Sequence, residues 1–254
     1  MSNLLKNIVR KALSRAGYAV LRERNRYSQD GVFTVHNDHF RSRAEFQDAY
    51  CRGVAASNGV DTAMEWRVHV ALWAASTSLR VSGDFVECGV NAGFMSSAMM
   101  RYLGWNRLGR TFYLIDTFSG PALQQFSPAE IERGRREVVE RAIAAGAYVT
   151  DVERVRENFA EWPGAVVMQG VVPDVLSTLR PGPIAFLHLD MNCAYPERAA
   201  LEFFWDRLEP GGMVLLDDYA YLGHEEQTHA LDEAAKSFGV EILSLPTGQG
   251  ILMK

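Results

Sequence analysis

Apolar positions follow two different periods along this chain. Near the N-terminus they recur at helical spacing. Leu5, Val9 and Leu13, with Leu4, Ile8 and Ala12, form a stripe, and Lys6, Arg10, Lys11 and Arg15 fall outside it. Residues 27–60 are polar and aromatic with little pattern and read as a connection. Over residues 61–80, Met64, Val68, Leu72 and Ala75 keep helical spacing behind Asp61, a predicted N-cap. From residue 83 onward, short apolar runs alternate with helical text. They predict strands at Asp84–Cys88, Phe112–Ile115, Val166–Gln169, Ile184–Leu189, Met213–Leu216, Val240–Leu245 and Gln249–Met253.

The first six runs are separated by segments long enough for crossover helices, which predicts a doubly wound α/β fold with a parallel sheet. The last two are joined by a short link that includes Pro246 and Gly248, so the seventh strand should run antiparallel to its neighbour. A mostly parallel seven-stranded sheet with an antiparallel last strand resembles the Rossmann-like class I methyltransferases. It differs from the all-parallel dinucleotide-binding fold. Residues 1–60 then form an N-terminal basic helix and extension, and 61–254 the main domain. Between the second and third strands, about residues 117–165 are too long for a plain crossover. Charged helical text at Ala129–Ala145 and Val152–Ala160 surrounds a break at Gly146-Ala147-Tyr148, and we read this insertion as a lid.

A chain of 254 residues with 48% hydrophobic content can bury a full core. No apolar run reaches the roughly 18 residues that span a bilayer. The basic residues interrupting the first apolar stripe argue against a secretory signal. Three cysteines, Cys51, Cys88 and Cys193, are odd in number and lack C-x-x-C spacing. They argue against a disulfide framework or zinc site and fit a cytoplasmic setting. Charge is unevenly spread: residues 1–26 carry net +6, which leaves −11 for the remainder of a chain totalling −5. An acidic body argues against nucleic acid as a partner. The basic helix is expected to dock on the body or on another subunit, or to lie on a membrane surface.

Candidate chemistry concentrates where the strands stop. Phe186-Leu187-His188-Leu189 ends in Asp190, and Met213-Val214-Leu215-Leu216 ends in Asp217-Asp218. Ligands in open α/β sheets bind beyond the strands' carboxyl ends. Three carboxylates crowded on one rim repel unless a proton or a cation intervenes, and a divalent metal answers this most simply. After the first strand, Glu87-Cys88-Gly89-Val90-Asn91-Ala92-Gly93 opens a helix. Its G-x-x-x-G spacing is not the G-x-G-x-x-G of dinucleotide sites. The preceding acid suits a cationic ligand, and S-adenosylmethionine has both an ammonium and a sulfonium. Asp116, followed by Phe118, ends the second strand where a carboxylate accepts ribose hydroxyls. Gln169-Gly170 ends the third, where an adenine edge would lie.

With these pieces in order, residues 60–254 resemble the macrocin O-methyltransferase (TylF-type) family of metal-dependent sugar O-methyltransferases. The resemblance rests on Phe85–Val90, Leu114–Gly120, Val155–Phe159, Leu187–Asp190 and Pro210–Asp218. It implies Mg²⁺ on Asp190, Asp217 and Asp218, S-adenosylmethionine on Glu87 through Gly93 and on Asp116, and a homo-oligomer helped by the N-terminal segment. It also implies a small-molecule acceptor with a sugar hydroxyl. One departure stands out: the family often has a second acid, proposed as general base, two residues after the first metal aspartate. Here that residue is Asn192, which cannot take a proton.

His224, six residues past Asp218, is our candidate base. His188 reads as structural, and Tyr219 and Tyr221 as pocket walls. Three alternatives are carried: a catechol-type O-methyltransferase, which Tyr195, Trp205 and Tyr219 do not decide; a cofactor-binding subunit without transfer activity, kept open by Asn192; and a hydride-transfer enzyme, disfavoured by the glycine spacing and the terminal hairpin.

Overall fold

Strands apolar on both faces must lie between two helical layers, and this requirement sets the architecture. The computed structural model describes residues 3–18 and 27–254; positions 22, 23, 24 and 26, counted in the basic segment, lie outside that range. In chain order the elements are α1 (Asn3–Arg15), β1 (Tyr27–Gln29), β2 (Val32–Thr34), α2 (Ala44–Ala56), α3 (Glu65–Ser78), β3 (Asp84–Cys88), α4 (Phe94–Leu103) and β4 (Phe112–Asp116). They continue with α5 (Pro128–Glu132), α6 (Arg135–Ala144), α7 (Val152–Phe159), β5 (Ala165–Gln169), β6 (Ile184–Leu189), α8 (Ala194–Trp205), β7 (Leu208–Leu216), α9 (Glu225–Phe238), β8 (Leu243–Ser244) and β9 (Gly250–Met253).

The main sheet has the order β5-β4-β3-β6-β7-β9-β8. Strands β3 to β7 pair in parallel, and β9 runs antiparallel between β7 and β8. The expected doubly wound sheet with an antiparallel last strand is what forms. The chain winds outward from β3 to β5 and returns on the other side at β6, so β3 and β6 flank the switch point where such sheets bind ligands.

Strand alternation sorts the core into two layers. Phe85, Phe112, Leu114, Phe186, Met213 and Leu215 face Ala49 of α2, Val68 and Ala71 of α3 and Met99 of α4. Val86, Cys88, Ile115, Leu187, Leu189, Val214 and Leu216 face Leu201 of α8 and Leu231 of α9.

The differences from the sequence reading have local causes. Residues 27–60 hold more order than a connection. A hairpin forms from β1 and β2 through Asp30 and Gly31, both at positive φ, followed by α2. That helix escapes a hydropathy reading because its buried face uses Tyr50 and Gly53 beside Phe46, Ala49 and Ala56. Gly53 permits close packing: a Cβ there would stand 2.6 Å from the Phe94 ring. Asp61 is not the N-cap of α3, which starts at Glu65. Its carboxylate instead accepts from Tyr50 Oη at 2.6 Å and Ala63 N at 2.8 Å. The predicted Ala129–Ala145 helix is two, α5 and α6, separated at Gly134 with φ 75°. The strand expected at Val240–Leu245 shrinks to Leu243–Ser244. On α1, Ile8 and Val9 stay 56% and 40% exposed, so the body does not cover them.

Phe186 lies wholly inside the sheet's aromatic layer, with its ring 5.1 Å from that of Phe85. Phe186→Ala is expected to lower unfolding free energy by about 3–5 kcal/mol in urea titration.

Candidate active site

Parallel pairing places Glu87 beside His188 and His188 beside Leu215, on adjacent strands. The ladder continues past the strand ends, with Asp190 N–H donating to Cys88 O and Asp217 N–H to Leu189 O. Asp190, Asp217 and Asp218 are thereby delivered to one place, where an oxygen from each lies within 4.8 Å of the others. Asp217 and Asp218 are buried and Asp190 is partly open.

Helix α3 sends Arg67 into this cluster. Its guanidinium donates to Asp217 and, at 3.0 Å, to Asp218 Oδ1. It also lies 3.8 Å from Asp30 Oδ1 and 5.1 Å over the Tyr221 ring. Tyr221 Oη donates to Asp30 at 2.6 Å, which brings the β1–β2 hairpin tip to the site. Gln249 Nε2 donates to Asp217 Oδ1 at 2.8 Å. Sequence reasoning missed Arg67, Asp30 and Gln249, because no local pattern links them to the acids.

The charges respond to this crowding. Burial alone would raise the Asp217 carboxyl, but the Arg67 charge and the neighbouring His188 hold it well below its usual range. Asp218 is raised to about 6, by burial and then by the Asp217 charge. Burial followed by both neighbouring acids pushes Asp190 well above the ordinary range. His188 resists burial: Asp217 and Glu87 raise it to about 10, so it is an imidazolium. Its Nδ1 donates to Glu87 Oε1 at 2.8 Å, and its Nε2 faces Asp217 Oδ1 at 3.6 Å. The structural reading of His188 is thus extended to a charged bridge between two acids.

Beside the cluster, a cavity is lined by Gly89, Asn91, Asp116, Tyr148, Gly170, Asp190 and Asn192, among others. Gly89, at φ +94°, is what lets the β3 and β6 loops meet: a Cβ there would stand 1.8 Å from Asp190 O. Glu87 is almost wholly buried and its Oε2 has no partner. Asp116 is already occupied locally. Oδ2 accepts from Val90 N and Asn91 N, and Oδ1 from Phe118 N and Thr117 Oγ1. Asn91 ties the insertion down, donating to Ala147 O and accepting from Val149 N.

The remaining predicted cofactor residues stand back. Gly93 starts α4 against Phe159, Phe118 packs in the core, and Gln169 donates to Thr117 O at 3.2 Å from an exposed position. Three carboxylates form an all-oxygen donor set that fits a hard divalent cation such as Mg²⁺. The unpartnered Glu87 oxygen and the glycine cradle fit a cationic ligand in close approach.

His224, the N-cap residue of α9, is buried with its Nδ1 unpartnered and 3.8 Å from Asp218 Oδ2. Burial and then the Arg135 charge lower it to about 4, so it is neutral. The Asn192 amide donates to Asp190 Oδ1 at 3.3 Å. Glu197, another group the sequence reading missed, accepts from Met191 N and Asn192 N and fixes this loop. Tyr219 is not a pocket wall; it is buried and donates to Asp232. Trp205 stacks on Phe238 at 4.4 Å in the α8–α9 layer.

The family model described as macrocin-O-methyltransferase (TylF) matches residues 67–238. A curated relative from Streptomyces olivaceus, 8-demethyl-8-(2,3-dimethoxy-alpha-L-rhamnosyl)-tetracenomycin-C 4'-O-methyltransferase, is 29% identical over 154 residues. That match spans 59% of this chain and 58% of the relative's length. Among solved structures, the O-methyltransferase NovP matches with TM-score 0.61 and 20% identity over 74% of this chain and 79% of its own. The calicheamicin methyltransferase CalS11 matches with TM-score 0.54 and 16% identity over 87% and 98%. At these identities the two structures establish the fold.

Two outcomes follow from the geometry. Gly89→Ala should cost more than about 1 kcal/mol in denaturant unfolding, because a side chain at positive φ collides with the Asp190 loop. Protons compete for Asp218, raised to about 6, and for Asp190, raised as well, so any calorimetric affinity of the cluster for Mg²⁺ should fall at least about tenfold per pH unit as pH drops below about 6.

Proposed function

The chain belongs to the macrocin-O-methyltransferase (TylF) family, and from that premise we propose that it methylates a hydroxyl of a sugar or sugar-bearing small molecule, with S-adenosylmethionine as donor and Mg²⁺ in the acid cluster. The observation that carries this reading is Asp190, which belongs at once to the carboxylate triad and to the wall of the adjoining cavity. The rhamnosyl group in the name of the Streptomyces relative supports a sugar acceptor. The free cysteines support a cytoplasmic setting, and we expect a homo-oligomer.

When bound, the donor supplies an electrophilic methyl group, and the ion a Lewis acid that makes the acceptor hydroxyl more acidic. The protein's own part is alignment, charge balance and a destination for one proton. Glu87 offers its free Oε2 to the donor's ammonium, the Gly89 loop gives backbone access, and Asp116 and Gly170 border the nucleoside end. Asp190, Asp217 and Asp218 would hold the ion. Arg67 and His188 fix the two carboxylates they touch, so that these need no reorganisation. Tyr148 and Gln125 of the insertion wall the cavity.

His224 receives the hydroxyl proton at Nδ1, which is neutral, unpartnered and turned toward Asp218. A group lowered to about 4 is a weak base, so it serves only a hydroxyl that has been made acidic. Asn192 cannot fill the role, because a carboxamide takes no proton; its Nδ2 donates to Asp190 instead.

Asp218→Ala should abolish release of S-adenosylhomocysteine from a sugar panel while leaving donor affinity within about threefold by calorimetry. Full-rate methylation by EDTA-treated protein would refute the metal role. His224→Ala should lower kcat about 10²–10⁴-fold with donor affinity unchanged, and an undiminished kcat would remove His224 as the base.

A further inference from the structure

Helix α1 lies outside the site, and the proposed reaction gives it no task. Its 13 residues place Ile8, Val9 and Ala12 on one apolar arc, with Leu5 and Leu13 at the same spacing. Lys6 and Arg10 border that arc on one side and Lys11 and Arg15 on the other, while Asn7 and Ser14 run along the opposite face. The helix contains no acid. Ile8 and Val9 are exposed rather than packed on the sheet domain.

From this arrangement we propose that α1 lies in the plane of an anionic lipid bilayer and holds the acidic body at the membrane surface. Three observations favour lipid over a second copy of the chain. Cations on both edges of an apolar arc suit a planar surface, since each long side chain can cover apolar area and still reach a phosphate. A protein groove would need acids along both rims. The apolar groove lined by Phe46, Trp73 and Tyr102 has Arg43 as well as Glu45 beside it.

Charge separation is the second observation. Residues 1–26 carry net +6 against −11 in the remainder, so an anionic surface attracts the helix and repels the body. Length is the third. Thirteen residues rise about 20 Å, and no helix among the described residues is long and apolar enough to cross a membrane. Lying in the interface is the geometry left to it.

The test is co-sedimentation of the full chain with vesicles of phosphatidylcholine alone and with 30% phosphatidylglycerol, at about 0.1 M salt. Binding to the anionic vesicles is expected to be at least about tenfold tighter than to the neutral ones. Ile8→Asn with Val9→Asn, which leaves charge unchanged, should lose most of the binding. Each of Lys6→Gln, Arg10→Gln, Lys11→Gln and Arg15→Gln should weaken it about fivefold. Thermal melting of all variants should match the parent, because none of these side chains is buried in the body. Equal or absent binding to the two vesicle types overturns the proposal. So does a smaller oligomer for the Ile8→Asn, Val9→Asn variant by light scattering with no vesicle binding by the parent, an outcome that assigns the face to a second copy.

Discussion

Glu87, Asp217 and Asp218 lie almost wholly out of water along the carboxyl ends of β3 and β7, with Asp190 of the β6 end at their edge. Charge in such a place must find a cation or a proton, since leaving it bare costs several kcal/mol. Among the described residues, two cations lie against these acids, and the Arg135 charge acts on Asp218 as well. His188 is shared between Glu87 and Asp217, and Arg67 between Asp217 and Asp218. Asp217 touches both and is held ionised, while Asp218 and Asp190 carry the unbalanced charge and retain their protons to higher pH. The rim is therefore graded: balanced on the Glu87 side, short of positive charge on the Asp190–Asp218 side. That gradient is what a site for a divalent cation requires.

Much of this was legible in the chain. Asp190, Asp217 and Asp218 could be found because an apolar run and its strand stop at the same residue, and parallel strands stop on one side. The glycine loop was legible for a similar local reason. What lay hidden were partners brought from elsewhere. Arg67 and Asp217 are 150 residues apart, Tyr221 and Asp30 are 191, and periodicity carries no information on either pairing. Asp116 shows a subtler limit. The sequence marks a carboxylate at the strand end, but its lone pairs already accept from Val90 N and Asn91 N of the glycine loop and from Phe118 N and the Thr117 hydroxyl. Helix α2 was missed because glycine and tyrosine make up part of its buried face.

The insertion between β4 and β5 is bound to the site at several points. Asn91 of the glycine loop reaches Ala147 and Val149, Glu130 accepts from Ala194 N at the start of α8, and Arg133 pairs with Glu225 and Glu226 of α9. The Val149 and Glu130 bonds are part-buried and buried, whereas the Ala147 bond and the Arg133 pairs are exposed and contribute little.

The β1–β2 hairpin and the last strand lie outside residues 67–238, the stretch by which the family is recognised. A fragment trimmed to that stretch would keep each acid of the cluster but lose Asp30, which backs the Arg67 guanidinium, and Gln249, which grips Asp217. Recognition of kinship and completeness of the working centre thus have different boundaries in this molecule. The ends of the chain act as outriggers for a charge arrangement whose visible parts all sit in the middle.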